Sequence, residues 1–105
     1  MTLRSLLERL VSWRMYIRES ALVGRELRRV RREIAQAQVE MDCRKTHDYC
    51  LALDYGQDPE GAKFLDRLCG RAAKGESDYK RLLPQKEMLE AELVRIRIMC
   101  YGRLG

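Results

Sequence analysis

Residues 2–53 contain no proline and one glycine, Gly24. A stretch that long without a breaker, with apolar residues recurring at three- and four-residue steps, reads as one long helix covered along a single stripe. The stripe is Leu3, Leu6, Leu10, Trp13 and Ile17, then Val23, Leu27, Val30, Ile34, Ala37 and Met41. One column, residues 6, 13, 20, 27, 34 and 41, runs through both halves. Its companion column changes sides between Ser20 and Gly24, a phase slip of the kind that alters supercoiling locally. Ser20, Ala21 and Gly24 are small enough to allow a bend or a close backbone approach there. Glu19, Glu26, Glu33 and Glu40 recur every seven residues beside the stripe, as on the wet flank of a packed helix.

The segment DYGQDPEG, residues 54–61, punctuates the chain. Gly56 is suited to stop the first helix, and Asp58 followed by Pro59 is a cap and first-turn signature for the next. A helix is then expected over about 59–73, with Phe64, Leu65, Leu68, Cys69 and Ala72 on its apolar side. The KGES segment, residues 74–77, is expected to break or fray it, with Ser77 as the next cap. A further helix is expected over about 78–101, with Leu82, Leu89, Leu93, Ile96 and Cys100 inward and either a kink or its true start at Pro84. At ~1.5 Å per residue the two arms come to ~75 and ~64 Å, close enough to lie antiparallel. With the turn near Gly56, residue i faces roughly residue 112 − i. Trp13 then falls near Met99, Gly24 near Met88 and Cys43 near Cys69.

The fold expected is therefore all-α: one domain over 1–105, a long antiparallel, coiled-coil-like helical hairpin with a broken or kinked return arm. Few aromatics and sparse β-branched residues argue against sheet. A hairpin has little interior, and Leu7, Val11 and Tyr16 widen the apolar arc at the N-terminal end beyond the main stripe. That surplus predicts completion by a second copy, as a homodimer, or by a protein partner.

The net charge of +5 is unevenly placed. Residues 1–45 carry eleven Lys/Arg against six Asp/Glu, whereas the rest of the chain is near balance. Arg14, Arg18, Arg25, Arg28 or Arg29, and Arg32 share one strip of the first helix, and Lys80, Arg81 and Lys86 lie opposite its middle in the hairpin register. Such a strip suits a phosphate backbone or an acidic protein surface. Glu26 and Glu33 interrupt it, and the aromatics that would stack on bases lie on or at the edge of the apolar side, so a solvated helix face is the plainer reading. Anionic lipid would satisfy the same residues, but the apolar face is better explained by the return arm.

Four cysteines, at 43, 50, 69 and 100, show no close-paired spacing, and unbroken apolar runs such as Ile98 to Tyr101 and Tyr49 to Leu53 are far short of the roughly 20 residues of a membrane span. These features predict a soluble, intracellular, most simply cytoplasmic protein with free thiols. No signal peptide is read in the N-terminal stretch, which Glu8 and Arg9 interrupt. Arg4, Arg9, Arg14 and Arg18 on an apolar helix resemble a presequence for the mitochondrial matrix, but Glu8 and Glu19 weigh against that. The candidate metal ligands are Cys43 and His47, one turn apart, with Cys69 from the facing arm and Asp66 as a fourth; a small semi-apolar seam explains the same residues. A Cys43–Cys69 disulfide is the redox alternative. His47 and Asp48 are expected to point apart. Residues 70–77, GRAAKGES, imitate a phosphate loop but place Glu76 where its lysine belongs.

No catalytic residues and no cofactor are expected. The function expected is a non-enzymatic helical protein-protein interaction module: an adaptor, a chaperone-like binder or a small subunit of a complex. Its interface would be Leu7, Val11, Trp13 and Tyr16. The second reading is a nucleic-acid-binding helical bundle acting through the arginine face.

Overall fold

The computed structural model describes residues 2–104, with side chains from Thr2 to Met99. The protein is an all-α helical hairpin: α1 spans Leu3–Met41, α2 Cys43–Ala52 and α3 Pro59–Leu104, with a short 3-10 turn over Tyr55–Gln57 between the arms. No strand occurs among the described residues. The chain divides into two compact units, a terminal unit of residues 1–30 and 85–105 and a turn unit of residues 31–84.

The turn unit is held at its tip by two devices. Asp58 caps α3 by accepting a hydrogen bond from the Gly61 N–H through Oδ1 at 2.7 Å, and Pro59 is the first helical residue. Gly61 is required because a Cβ there would lie 1.5 Å from the Tyr55 carbonyl oxygen. Gly56 is not the left-handed stop expected of it. That conformation falls to Asp54, at φ 63°, after the Leu53 N–H has closed the last turn of α2 onto Tyr49 and Cys50. Aspartate tolerates it better than most side chains.

The near-continuous first arm has one hitch. At Asp42 the ladder tightens: the Lys45 N–H donates to the Asp42 carbonyl three residues back at 3.1 Å. The expected break at residues 74–77 is absent, and α3 runs unbroken through it. Local propensity loses there because Gly75 is on the inner face and buried. A Cβ on it would stand 2.7 Å from the Ala37 carbonyl oxygen and 2.8 Å from the Met41 nitrogen. The glycine lets two helices approach backbone to backbone, a gain that offsets its cost of about 1 kcal/mol in a helix. Ala37, Leu65, Leu68, Ala72 and Leu82 complete this core, while Phe64 and Cys69, expected inward, are exposed. Arg44 Nε donates to Glu76 Oε1 across the arms at 3.0 Å.

Pro84 also lies inside α3 without ending it. Pro84 is exposed, and so is Lys80, whose carbonyl loses its helical donor to the proline.

In the terminal unit Thr2 caps α1, its Oγ1 accepting from the Ser5 N–H at 3.3 Å. Leu27, Val30 and Ile96 are buried, and Leu89 and Leu93 are half-buried. Cys100 falls outside the described side chains. The expected register holds in both units. Arg95 lies within electrostatic reach of Glu19 in the terminal unit, and Gly75 meets Ala37 in the turn unit. No helix among the described residues is long and apolar enough to cross a membrane.

Candidate functional site

The phase slip of α1 decides what the terminal unit shows to solvent. Downstream, the inner face is Leu27 and Val30, continued in the turn unit by Ile34 and Ala37. Counting back at the same steps gives Val23, Ser20 and Tyr16, and all three are half-buried, as are Ser5 and Ser12. The helix keeps one frame through Gly24 and neither breaks nor turns to re-seat the apolar stripe. Nor is Gly24 a point of close approach, since a Cβ on it would find only the end of Arg28, 3.9 Å away. The stripe expected to face the return arm therefore lies outside the covered face. Leu3 is 75% exposed, Leu6 45%, Leu10 55%, Trp13 42% and Ile17 48%. Leu7 and Val11, expected on the flank, are 54% and 59% exposed, whereas Tyr16 belongs to the half-buried face.

The return segment explains why Tyr16 is taken. Arg95 is hydrogen-bonded to Glu92, with Nε to Oε2 at 3.0 Å. Its guanidinium is pushed above its ordinary pKa by that hydrogen bond first and by the charge of Glu92 next, with Glu19 and Tyr16 of α1 adding smaller contributions. The polar edge of α1, not its apolar stripe, is presented to α3 here.

Beside the exposed stripe stands a cationic ridge. Arg14, Arg18, Arg25 and Arg28 are all exposed, and none makes an ion pair among the described residues. Arg14 is four residues after Leu10 and three before Ile17, and such positions adjoin on a helix. Arg29 is engaged with Glu26, whose carboxyl is held below its usual range by that hydrogen bond. Lys86, also in the terminal unit, is half-buried and lies 3.7 Å from Glu90. In the turn unit Arg32 and Lys80 are exposed, and Arg81 is 3.5 Å from Asp78.

The candidate metal ligands do not assemble. Cys43 is half-buried, Cys50 buried and Cys69 exposed, all three as free thiols. His47 and Asp48 do not point apart: Nδ1 and Oδ1 are 3.0 Å from each other. No group of three His, Cys, Asp or Glu side chains among the described residues is placed to hold a metal ion.

Gly75 and the covered serines escaped the reading of the sequence. Steps of three and four through Leu65, Leu68, Ala72, Gly75, Leu82, Leu89, Leu93 and Ile96 would have put Gly75 on the inner stripe. No known protein family matches the chain, and no curated protein and no solved structure is significantly similar to it.

Proposed function

We propose that the chain is a non-enzymatic helical protein-protein interaction module, an adaptor or small subunit that docks through the outer face of its terminal unit. One observation carries the reading: five large apolar residues at strict three- and four-residue spacing, Leu3 to Ile17, are 42–75% exposed in the free chain. A contiguous apolar stripe of that kind is a docking surface waiting for a partner. Once covered, a Trp anchor is worth ~3–5 kcal/mol of association. The test is site-specific photo-cross-linking in the native cell. A cross-linking side chain at Leu10 is expected to trap a discrete protein adduct that Trp13→Ala abolishes, and one at exposed Gln36 to trap none. Equal trapping at both positions would overturn the reading.

A second reading rests on the four unpaired arginines of the ridge. A nucleic-acid-binding bundle would use Arg14, Arg18, Arg25 and Arg28 against phosphates. RNA and duplex DNA binding that falls steeply with salt, and that Arg25→Glu with Arg28→Glu removes, would put it first; flat or absent binding would sink it.

A further inference from the structure

We infer that the occupant of the exposed stripe is neither a second copy of this chain nor a lipid surface, but an amphipathic helix of another protein whose apolar seam is flanked by carboxylates. The inference rests on the interaction-module reading and names its partner class.

The spacing speaks for a helix. Leu3, Leu6, Leu10, Trp13 and Ile17 step by three, four, three and four, which is two heptads, about four helical turns, of a seam that accepts knobs from a facing helix over about 21 Å. A bilayer needs an apolar face but no such period. The charge speaks against a second copy. In an antiparallel pair overlapping along the seam each flank meets its own equivalent run in reverse, which sets Arg14 and Arg18 toward Leu7 and Arg4 of the other copy and so against no free carboxylate. A parallel pair sets that flank against the opposite one, on the side of Arg9 and Tyr16. Tyr16, Ser20 and Val23 are already half-buried there, beside Arg95. On the open flank the nearest native carboxylate is Glu8, 3.5 Å from Arg4 and so already paired, in an exposed contact. Arg14, Arg18 and Arg25 keep their charge for whatever arrives, and arginine suits bidentate contact with a carboxylate.

Trp13 is the only tryptophan, so its emission reports coverage of the seam directly. The experiment titrates the full chain with two synthetic helical peptides that share one Leu/Ile seam, the first flanked by Glu and the second by Lys, and records Trp13 emission and complex mass. The expected result is a blue shift and a one-to-one complex with the Glu peptide, at least ~10-fold tighter than with the Lys peptide. Arg14→Glu with Arg18→Glu should erase or reverse that preference while leaving helicity unchanged. Equal affinity for the two peptides overturns the acidic partner. So does a blue shift that appears with protein concentration alone and tracks a doubled mass; that would make the occupant a second copy and leave the interaction module standing. A blue shift only on phosphatidylglycerol vesicles, absent on phosphatidylcholine, overturns both readings, as does emission that none of these additions moves.

Discussion

The turn unit and the terminal unit use the same element, two antiparallel helical segments, and end with opposite surfaces. In the turn unit the inner face is small and complete: Ala37 and Ala72 at 2% and 0% exposure, and a glycine where the backbones meet. Ile34, Leu65, Leu68 and Leu82 are buried on that face, while Val39, Leu51, Leu53 and Phe64 of the same unit are exposed off it. In the terminal unit α1 holds the same frame, but upstream of Val23 that frame carries Ser5, Ser12, Tyr16 and Ser20. The apolar residues belong to the neighbouring columns and stay wet. Two helices can thus be equally regular while one pairing turns its apolar seam inward and the other leaves its seam outside. Spacing fixes which side chains share a face, and the covering arm fixes which face is spent.

Identical truncations in the two units give the largest contrast. Leu82→Ala should cost the turn unit about 2–5 kcal/mol by leaving a cavity. Leu10→Ala should change stability by less than about 0.5 kcal/mol, because the side chain is already half in water. Urea unfolding followed by circular dichroism measures both. A large loss from Leu10→Ala would mean that the stripe is covered within the chain, and the comparison would fail.

Glycine replacement sharpens the same contrast at smaller scale. Gly75→Ala should destabilise by about 1–3 kcal/mol through overpacking. Gly24→Ala, which meets nothing nearer than 3.9 Å, should stabilise by about 0.5–1 kcal/mol through helix propensity. Opposite shifts in melting temperature are the expected reading, and shifts of one sign would deny that the two glycines differ in role.

Acid should give the smallest effect and should strike the terminal unit first. Glu26 and Glu92, both there, have carboxyls held below the ordinary 4.5 by hydrogen bonds from Arg29 and Arg95. A depressed folded pKa means that their contribution is complete above about pH 4.5 and is lost as pH falls through the lower folded values. Both carboxyls are open to water, which screens these pairs, so the effect is slight. Hydrogen exchange between pH 6 and 3 should show residues 20–30 and 85–99 loosening before residues 34–41, and Glu92→Gln should flatten that difference.

Much of the hairpin was legible in the sequence. The proline-free first arm, the Asp58–Pro59 start of α3 and the sum rule that sets Gly75 against Ala37 all follow from local chemistry that nothing elsewhere overrides. What was not legible has a common cause. Lys74-Gly75-Glu76-Ser77 is a breaker by propensity, but the helix is decided by the arm facing Gly75, and that contact is invisible locally. Ser20 and Gly24 looked like a place for the helix to break its frame, yet α1 runs through them uninterrupted and the apolar stripe leaves the covered face. For the candidate site the sequence supplied Leu7, Val11, Trp13 and the arginines. It assigned Leu3, Leu6, Leu10 and Ile17 to the interior, because the alternative, burying serines beside the return helix, looks unfavourable until Arg95 and Glu19 are seen to share that edge.

The contact at Gly75 also bears on how this chain can change over generations. Two of the three atoms nearest a Cβ at that position are main-chain atoms, the Ala37 oxygen and the Met41 nitrogen. Trimming those neighbours' side chains cannot move either atom, so a lesion there has no simple suppressor at Ala37 or Met41. Gly70, with open space around it, is free to drift. Position 75 is a ratchet: once two helices have closed on a glycine, the sequence can leave it only by parting the backbones.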